Sequence, residues 1–286
     1  MINSLELADL YLQACEIELQ AFKPGNVSVY SDGHDMTVAE FRLSAEVSAA
    51  SLCNPAYSLG EKIYNAVKET RGAVGCNTNL GIILLCAPLI QAVKFINKNK
   101  TLQEAVNLVL SATTVCDADW VFKAIALAAP GGLGESKEQD VHKTATVTLT
   151  QAMQIAADKD RIALQYATGY KDIFDFAVLR YNLRISQWID LNWAAVFLFA
   201  ELLSQFPDSH IERKYGNKYT EWIAARMRQF LQEFGQATDP KQSLQALFCL
   251  DAEFKSNGVN PGTTADMTVA TLLAVLIEER IKTRKH

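Results

Sequence analysis

Apolar residues recur every three or four positions along most of the chain. This period is typical of α-helices that bury one face, because side chains three and four residues apart lie on the same side of a helix. The first apolar stripe consists of Leu5, Ala8, Leu12, Cys15, Leu19 and Phe22. The pattern predicts about ten to twelve helices, near residues 4–22, 38–53, 59–70, 79–96, 101–112, 115–128, 148–167, 171–183, 187–206, 218–234, 240–255 and 264–282.

Capping signals support several of these helix starts. A Ser or Thr followed three residues later by Glu can form a reciprocal cap, and the pattern occurs at Thr37 with Glu40, Ser58 with Glu61, Thr101 with Glu104, and Ser209 with Glu212. Pro24 is expected to end the first helix and Pro88 to kink the fourth. Only residues 26–30 and 143–149 alternate as short strands do. We therefore predict an all-α protein with a single domain over residues 1–286.

Composition and charge narrow the classes of partner. Of the 286 residues, 49% are hydrophobic, and the net charge is −5 with a pI of about 5.5. An acidic chain of this kind does not favour nucleic acid or an anionic membrane as a partner, so an anionic ligand would have to be held by local donors. The six cysteines include no CxxC pair and no cluster with histidine, so they do not indicate a structural zinc site.

Three segments bear on where the protein is located and whether it forms a dimer. The N-terminal segment MINSLELADLYLQ has no basic region of the kind that starts a signal peptide. The richest apolar run begins at Ile82 and is interrupted by Gln91 and Lys94, which leaves it short of the roughly 20 residues that span a bilayer. We expect a cytoplasmic protein without a membrane partner. The apolar segment 193–203 is compatible with a buried core helix or with a homodimer contact.

Four predicted interhelical loops carry most of the candidate chemistry. Their sequences are KPGNVSVYSDGHDM (23–36), RGAVGCNTNLG (71–81), APGGLGESKEQDV (129–141) and NGVNPGTTADM (257–267). Each leads towards a helix N-terminus, where free amide groups and the helix dipole favour an anion. Glycines allow close approach to phosphate, and Lys23 could supply a compact positive charge. Asp35, Glu61, Asp140 and Asp266 could hold Mg²⁺ together with phosphate oxygens.

Structural interpretations of the same residues remain open. Glycine and proline between helices often serve turn geometry alone. Asp266 could complete a helix cap with Thr263, Glu61 could do so with Ser58, and residues 77–79 could also cap a helix. His34 could be a loop histidine bonded to the backbone. The charged segment 158–161 is interpreted as a solvated face late in the helix predicted over 148–167.

The order of these motifs resembles the triphosphoribosyl-dephospho-CoA synthase family. The matching segments are Glu18, KPGNV (23–27), HDM (34–36), NTNLG (77–81) and TAD (264–266), in this order from about residue 8 to residue 280. The resemblance implies an all-α enzyme that joins ATP to 3′-dephospho-CoA and releases adenine. A ribose hydroxyl would attack C1′ of ATP as the N-glycosidic bond breaks, through a transition state with oxocarbenium character. Mg²⁺ would neutralise the retained triphosphate.

The resemblance also implies roles for individual residues. Those expected to bind nucleotide and phosphate are Lys23, Gly25, Asn26, Asn77, Thr78, Asn79, Gly81 and Gly132. The expected metal ligands are Asp35, Asp140 and Asp266. Glu18 or Glu61 is the candidate base or cation stabiliser, and His34 is the candidate that acts on the leaving adenine.

Two differences from the better-known synthases widen the range of functions that the sequence allows. Asn79 and Leu80 stand where those proteins carry His and Lys, and PGGLG (130–134) stands near their RGE segment. Together with the segment DKDR (158–161), these features resemble a branch associated with tetrahydromethanopterin biosynthesis. That resemblance implies a related ribosyl or phosphoribosyl transferase whose acceptor would be a pterin precursor. The sequence is also compatible with a nucleotide N-glycosidic hydrolase and with a non-catalytic nucleotide-binding protein.

Overall fold

The protein is described by a computed structural model that covers residues 2–31, 36–97, 99–130 and 139–284. These residues form fourteen α-helices. Their bounds are α1 (Ser4–Gln20), α2 (Val38–Leu52), α3 (Leu59–Val74), α4 (Leu80–Ala92), α5 (Leu102–Ser111), α6 (Val115–Ala128), α7 (Leu149–Ala156), α8 (Arg161–Thr168), α9 (Val178–Trp188), α10 (Leu191–Gln205), α11 (Ser209–Tyr215), α12 (Thr220–Phe234), α13 (Leu244–Ser256) and α14 (Gly262–Thr283). Short 3₁₀ segments occur at 93–95, 216–219 and 240–243, and a π-helical segment occurs at 172–177.

The all-α class predicted from the sequence is confirmed. Neither predicted strand segment forms a strand in the described residues. Isolated bridges occur only between Ser28 and Ser31 and between Asn97 and Lys100 in this part of the chain. The predicted capping boxes at Thr37, Ser58 and Thr101 are present.

Two of the differences from the predicted helix boundaries affect the loops of interest. The helix predicted over 148–167 is broken at 157–160, because Asp160 takes an extended conformation and its side chain caps a new helix by accepting from Ala163 N. A separate helix, α11, begins at Ser209, and its N-cap is Asp208 instead of the predicted Ser209. The break at 157–160 moves a charged segment that was interpreted as a solvated helix face into a connection between two helices.

The last helix, α14, lies at the centre of the protein. It packs against α1, α4 and α10, and most of its residues are buried. The α10 segment that was considered for a homodimer contact is buried instead against α1, α9, α12 and α14 of the same chain. This helix therefore gives no support to a homodimer. No helix among the described residues combines the length and the apolar character needed to cross a membrane.

Two buried tyrosines from outside α4 donate hydrogen bonds to the backbone of this helix, near the proline that it contains. Pro88 has no amide hydrogen, so it cannot donate to the carbonyl of Leu84 four residues earlier. The hydroxyl of Tyr166 donates to that carbonyl at 2.6 Å. Tyr170 donates to the neighbouring carbonyl of Leu85 at 3.0 Å, and both tyrosines are buried. The phenol of Tyr166 thus replaces the backbone donor that proline removes.

We expect Tyr166→Phe to lower the free energy of unfolding by about 1–3 kcal/mol, because it leaves the buried Leu84 carbonyl without a donor. Denaturant unfolding would measure this change. In a Pro88→Ala background an alanine amide can take over the carbonyl, so Tyr166→Phe should cost clearly less. An equal cost in both backgrounds would show that the tyrosine does not substitute for the missing amide.

Candidate functional site

All four of the loops identified in the sequence contribute residues to one cavity of about 970 Å³. Met36 comes from the first loop, Asn77 from the second, Asp140 from the third and Asn260 from the fourth. The volume lies in the range of sites that bind nucleotides and other small ligands. Segments far apart in the sequence therefore share one site.

Three helices begin at this cavity. Residues in the first turns of α4, α8 and α14 line it, including Gly81, Ile162 and Thr263. The positive end of each helix dipole points towards its N-terminus, so the three helices together favour negative charge in the cavity. The contribution of α8 depends on the break at 157–160.

A buried ion pair lies where the first loop leaves α1. The Nζ atom of Lys23 is 2.9 Å from Oε1 of Glu18, and it also donates to the carbonyls of Glu18 at 2.9 Å and Val27 at 2.6 Å. Lys23 is 0% exposed and does not line the cavity, whereas the carboxyl-bearing Glu18 does. All three ammonium hydrogens of Lys23 thus have partners, and its structural effect is to fix Glu18.

The electrostatics of this pair are governed by its burial. Burial raises the pKa of Glu18, and the charge of Lys23 opposes that rise. Burial lowers the pKa of Lys23, and Glu18 opposes that fall. Each charge therefore stabilises the other at the wall of the cavity.

The first and fourth loops pack on each other beside Glu18. The side chain of Asn26 donates to Oδ1 of Asn260 at 2.7 Å, and both residues line the cavity. Gly25 has a φ of +81°, and a Cβ there would lie 2.6 Å from the carbonyl oxygen of Val259. Gly25 is therefore required by the loop packing, and it is not a cavity residue.

Two aspartates hold the loops from outside the cavity. Asp251 accepts from the amide of Gly25 at 2.8 Å and from the hydroxyl of Ser31 at 2.7 Å. Asp208 accepts from the amides of His210 and Ile211 through Oδ1, and from the amide and hydroxyl of Thr264 through Oδ2. Asp208 thereby caps α11 and binds the first turn of α14 at the same time.

Asp266, in the first helical turns of α14, is the most strongly perturbed carboxyl of the cavity. Burial raises the pKa of Asp266 well above its usual range, and the nearby charges of Asp208 and Glu18 raise it further. Thr263 does not cap α14, since the N-cap is Pro261 and it makes no side-chain cap bond. The interpretation of Asp266 as part of a capping box with Thr263 is therefore wrong.

Gly81 allows α4 to approach Asp266. A Cβ at Gly81 would lie 2.0 Å from Oδ2 and 2.5 Å from Cγ of Asp266, and 2.8 Å from Cδ1 of Ile162. Only glycine leaves room for the carboxyl group at this point. The glycine of the NTNLG segment thus shapes the cavity through the position of Asp266.

The donor set is compatible with a divalent cation. Glu18, Asp140 and Asp266 line the cavity, and burial together with the charges of Asp208 and Glu18 disfavours the ionised form of Asp266. A cation would favour that ionised form. Among the described residues no three His, Cys, Asp or Glu side chains form a ready metal-binding group. Carboxylate oxygens such as those of Glu18, Asp140 and Asp266 are of the kind that Mg²⁺ takes one or two at a time, together with phosphate oxygens and water.

The cationic side chains of the cavity come from positions that the sequence interpretation did not select. Lys159 and Arg213 line it, together with His210. Burial lowers the pKa of His210, which favours the neutral ring, and the charge of Asp208 opposes this shift. Lys159 could have been found only by recognising Asp160 as an N-cap. Arg213 lies in a short helix that the apolar period did not predict.

Part of the cavity lining is apolar. It includes Phe41, Ile125, Met153, Ile162 and Ala163. Apolar lining residues suit the flat, uncharged part of a ligand, whereas the carboxyls, amides and cations of the lining suit its polar part. The cavity can therefore hold a molecule that has both an apolar and a charged part.

The structure brings together about half of the residues selected from the sequence. Those lining the cavity are Glu18, Asn26, Asn77, Thr78, Gly81, Asp140 and Asp266. Lys23 and Gly25 support the first loop from behind, and Asn79 is buried with its amide directed at Ser44 and Ser48. His34, Asp35 and Gly132 lie outside the described residues.

Glu61 is separate from these residues. Its carboxylate accepts from the backbone amide of Ser58 at 2.8 Å in an N-terminal capping box of α3, and it does not line the cavity. Asn77 combines a bond at a helix start with a place in the cavity. Its Oδ1 atom accepts from the amide of Leu80, the first residue of α4, and the residue lines the cavity. A capping role and a place in the site are therefore compatible for Asn77.

Comparisons with known proteins agree with this picture. A sequence model of the ATP:dephospho-CoA triphosphoribosyl transferase (CitG) family matches residues 4–285. The chain is also similar to a crystal structure from Archaeoglobus fulgidus of a protein assigned as a triphosphoribosyl-dephospho-CoA synthase. The sequences are 24% identical, the alignment covers 82% of this chain and 97% of that one, and the TM-score is 0.62, which shows a shared fold. A search of curated proteins gave no match.

Replacing Lys23 by methionine would leave the buried Glu18 without its counter-ion. We expect the free energy of unfolding at about pH 8 to fall by about 3–5 kcal/mol. Without Lys23 the pKa of folded Glu18 rises further above its unfolded value. The variant should therefore regain stability as the pH falls from about 8 to about 5, when the carboxyl takes up a proton.

Urea unfolding at several pH values would measure both effects. The matched control is the double variant Glu18→Gln with Lys23→Met, which carries no buried charge at either position. It should lose less stability and show no recovery at low pH relative to the wild type. A loss of the same size in both variants at every pH would contradict the ion-pair account.

Gly81→Ala should destabilise the protein by about 1–3 kcal/mol, because the new methyl group must displace Asp266 or Ile162. The control is Gly72→Ala, at an exposed position inside α3 with no atom within 4 Å of the added Cβ. That change should stabilise the protein by about 0.5–1 kcal/mol. Thermal or urea unfolding would measure both. A neutral Gly81→Ala would mean that the cavity is less tightly packed than described.

Proposed function

The chain belongs to the ATP:dephospho-CoA triphosphoribosyl transferase family, a family of transferases, and we propose that it transfers the ribosyl triphosphate of ATP to a hydroxyl acceptor and releases adenine. The observation that carries this proposal is the single cavity on which four loops and three helix N-termini converge. Its polar lining residues suit a polyphosphate and a sugar, and its apolar lining residues suit a nucleobase.

The proposed reaction forms one bond and breaks one bond at C1′ of the ATP ribose. The acceptor hydroxyl oxygen bonds to C1′, and the bond from C1′ to the adenine nitrogen breaks with its electron pair going to adenine. The hydroxyl loses a proton to a base, and the leaving adenine takes up a proton. Positive charge develops at C1′ during this exchange, so a fixed negative group nearby stabilises the transition state.

Glu18 is the residue that we assign to this region. Its carboxylate lies at the cavity wall, and the ion pair with Lys23 at 2.9 Å fixes its position. A positioned carboxylate can accept the proton of the attacking hydroxyl and oppose the charge at C1′. In this proposal Lys23 acts by holding Glu18, and it does not contact phosphate.

Asp266 and Asp140 are assigned to the Mg²⁺-bound triphosphate. When bound, Mg²⁺ would neutralise phosphate charge and fix the position of the triphosphate. Asp266 offers a carboxyl whose ionised form the surrounding negative charges disfavour, so it has most to gain from a cation. Asn77 and the first turns of α4 and α14 supply polar groups for phosphate oxygens beside it.

The acceptor is a separate question from the donor. Dephospho-CoA is the acceptor that the family description contains. In this chain Leu80 lines the cavity, so that an apolar side chain stands where better-known members carry Lys. This difference lowers the positive charge available to a phosphorylated acceptor and favours testing a pterin precursor as well.

The experiment is to incubate the pure protein with Mg-ATP and each acceptor, and to follow free adenine by chromatography. Mass spectrometry would identify an acceptor that has gained a ribosyl triphosphate. Adenine release with the modified acceptor supports transfer. Adenine released together with free ribose triphosphate indicates hydrolysis, and an absence of adenine release with every acceptor refutes the proposal.

Among variants, Asp266→Asn should abolish adenine release, and Glu18→Gln should slow it by about 10²- to 10⁴-fold, the usual contribution of a positioned base. The control is Glu61→Gln, whose amide can preserve the capping box of α3 outside the cavity. It should retain wild-type activity. Normal turnover by Asp266→Asn, or a large loss in Glu61→Gln, would contradict these assignments.

A further inference from the structure

The cavity has few positively charged side chains among its described lining residues, and both are close to Asp160: Lys159 precedes it in the chain and Arg213 forms an ion pair with it. Lys159 and Arg213 are the lysine and arginine among its lining residues in the described part of the chain. Lys159 lies in the connection between α7 and α8, and Arg213 lies in the last turn of α11. His210, one turn before Arg213, lines the same region and can exchange hydrogen bonds with a ligand.

Arg213 has a carboxylate partner at the cavity. Its Nη1 atom donates to Oδ2 of Asp160 at 2.6 Å, and both side chains are about one quarter exposed. The other oxygen of Asp160 accepts from the amide of Ala163 and caps α8. The cap and the ion pair therefore use different oxygens, so the pair can open while α8 keeps its cap.

Lys159 differs from Arg213 because it has no ion-pair partner among the described residues, and its side chain is exposed. Because the Lys159 ammonium group is exposed, binding an anion removes only part of its water. It also does not have to break an ion pair with the protein before it contacts the anion. The break at 157–160 puts this lysine and the start of α8 at the same place.

We propose that Arg213 and Lys159 form the subsite for the polyphosphate end of the substrate, and that Asp160 is a competing carboxylate which Arg213 leaves when the polyphosphate binds. The identification of the ligand as a nucleoside triphosphate rests on the proposed function. The subsite itself rests on the cavity geometry. A guanidinium can bind phosphate through two parallel N–H groups, which replaces one carboxylate contact by a stronger bidentate contact.

Asp266 connects this subsite to the proposed reaction centre. Both Arg213 and Glu18 lie near enough to Asp266 to influence its charge, with opposite signs. Glu18, Asp266, Arg213 and Lys159 all line this one cavity, so a single extended ligand can contact both the subsite and Glu18.

A purely structural role makes different predictions. A partly exposed pair such as Arg213 with Asp160 contributes about 0–1 kcal/mol to stability and would join α8 to α11. If joining these helices were its only effect, removing either partner would have the same consequence for ligand binding. In the exchange proposed here the two removals have opposite consequences.

The test is calorimetric binding of inorganic tripolyphosphate, without divalent cations, to the full-length protein. Arg213→Gln should weaken binding by about 10- to 100-fold, the contribution of a charge-assisted contact. Asp160→Asn should strengthen binding by about 2- to 5-fold, because it removes the competitor. Lys159→Gln should weaken binding less than Arg213→Gln does.

The variants include their own structural controls. Asparagine is a good N-cap, so Asp160→Asn keeps the start of α8. Arg228→Gln removes a surface pair with Glu221 on α12, and it should leave tripolyphosphate binding unchanged. Melting temperatures would confirm that each variant is folded. Should Arg213→Gln fail to fold, Arg213→Lys keeps the charge but loses the bidentate geometry, and it should weaken tripolyphosphate binding by a smaller factor; unchanged binding in that variant would count against the contact.

Several results would overturn the subsite. These are unchanged binding in Arg213→Gln, weaker binding in Asp160→Asn, or no binding of tripolyphosphate by the wild type.

The failure of the subsite can be distinguished from the failure of the transfer reaction. Tripolyphosphate binding with the expected pattern but without adenine release keeps the subsite and removes the reaction. Adenine release whose KM for ATP is the same in Arg213→Gln and in the wild type keeps the reaction and removes the subsite.

Discussion

Charged side chains satisfy the backbone of the irregular segments that enter the interior of this helical protein. A buried loop needs partners for its amide and carbonyl groups, because the core offers no water. Lys23 provides them for the carbonyl of Glu18 in α1 and for that of Val27 in the first loop. Asp251 provides one for the amide of Gly25 in the same loop, and Asp208 does so for amides in the first turns of α11 and α14. These three residues do not line the cavity. They hold its walls in position from behind, through their hydrogen bonds to the backbone.

The same arrangement divides the charges of the protein into two groups. Charges with complete hydrogen bonding, such as Lys23 and Asp208, fix loops, while charges at the cavity surface are available to a ligand. Glu18 belongs to both groups, since it is paired on one side and lines the cavity on the other. A site that is lined by both carboxyls and cations is matched to a ligand that brings its own divalent cation and several negative charges.

Most helices could be predicted from the apolar period, because burial of one helix face imposes it on the sequence. The set of loops that form the cavity could also be predicted, since four interhelical loops share glycine, small polar residues and carboxyl groups, whereas the other connections are brief. The role of Lys23 could not, because a lysine in a glycine-containing loop has the same pattern whether it binds phosphate or a buried glutamate. The break before α8 was missed because apolar residues continue at helical spacing on both sides of Asp160.

The central position of α14 has a consequence for synthesis of the protein. This helix follows α1, α4 and α10 in the sequence, yet it is the surface against which all three pack. Those helices leave the ribosome before their common partner has been translated, so their apolar faces stay without native cover during elongation. Chaperones that bind exposed apolar segments are therefore expected to contact the nascent chain until the final helix emerges.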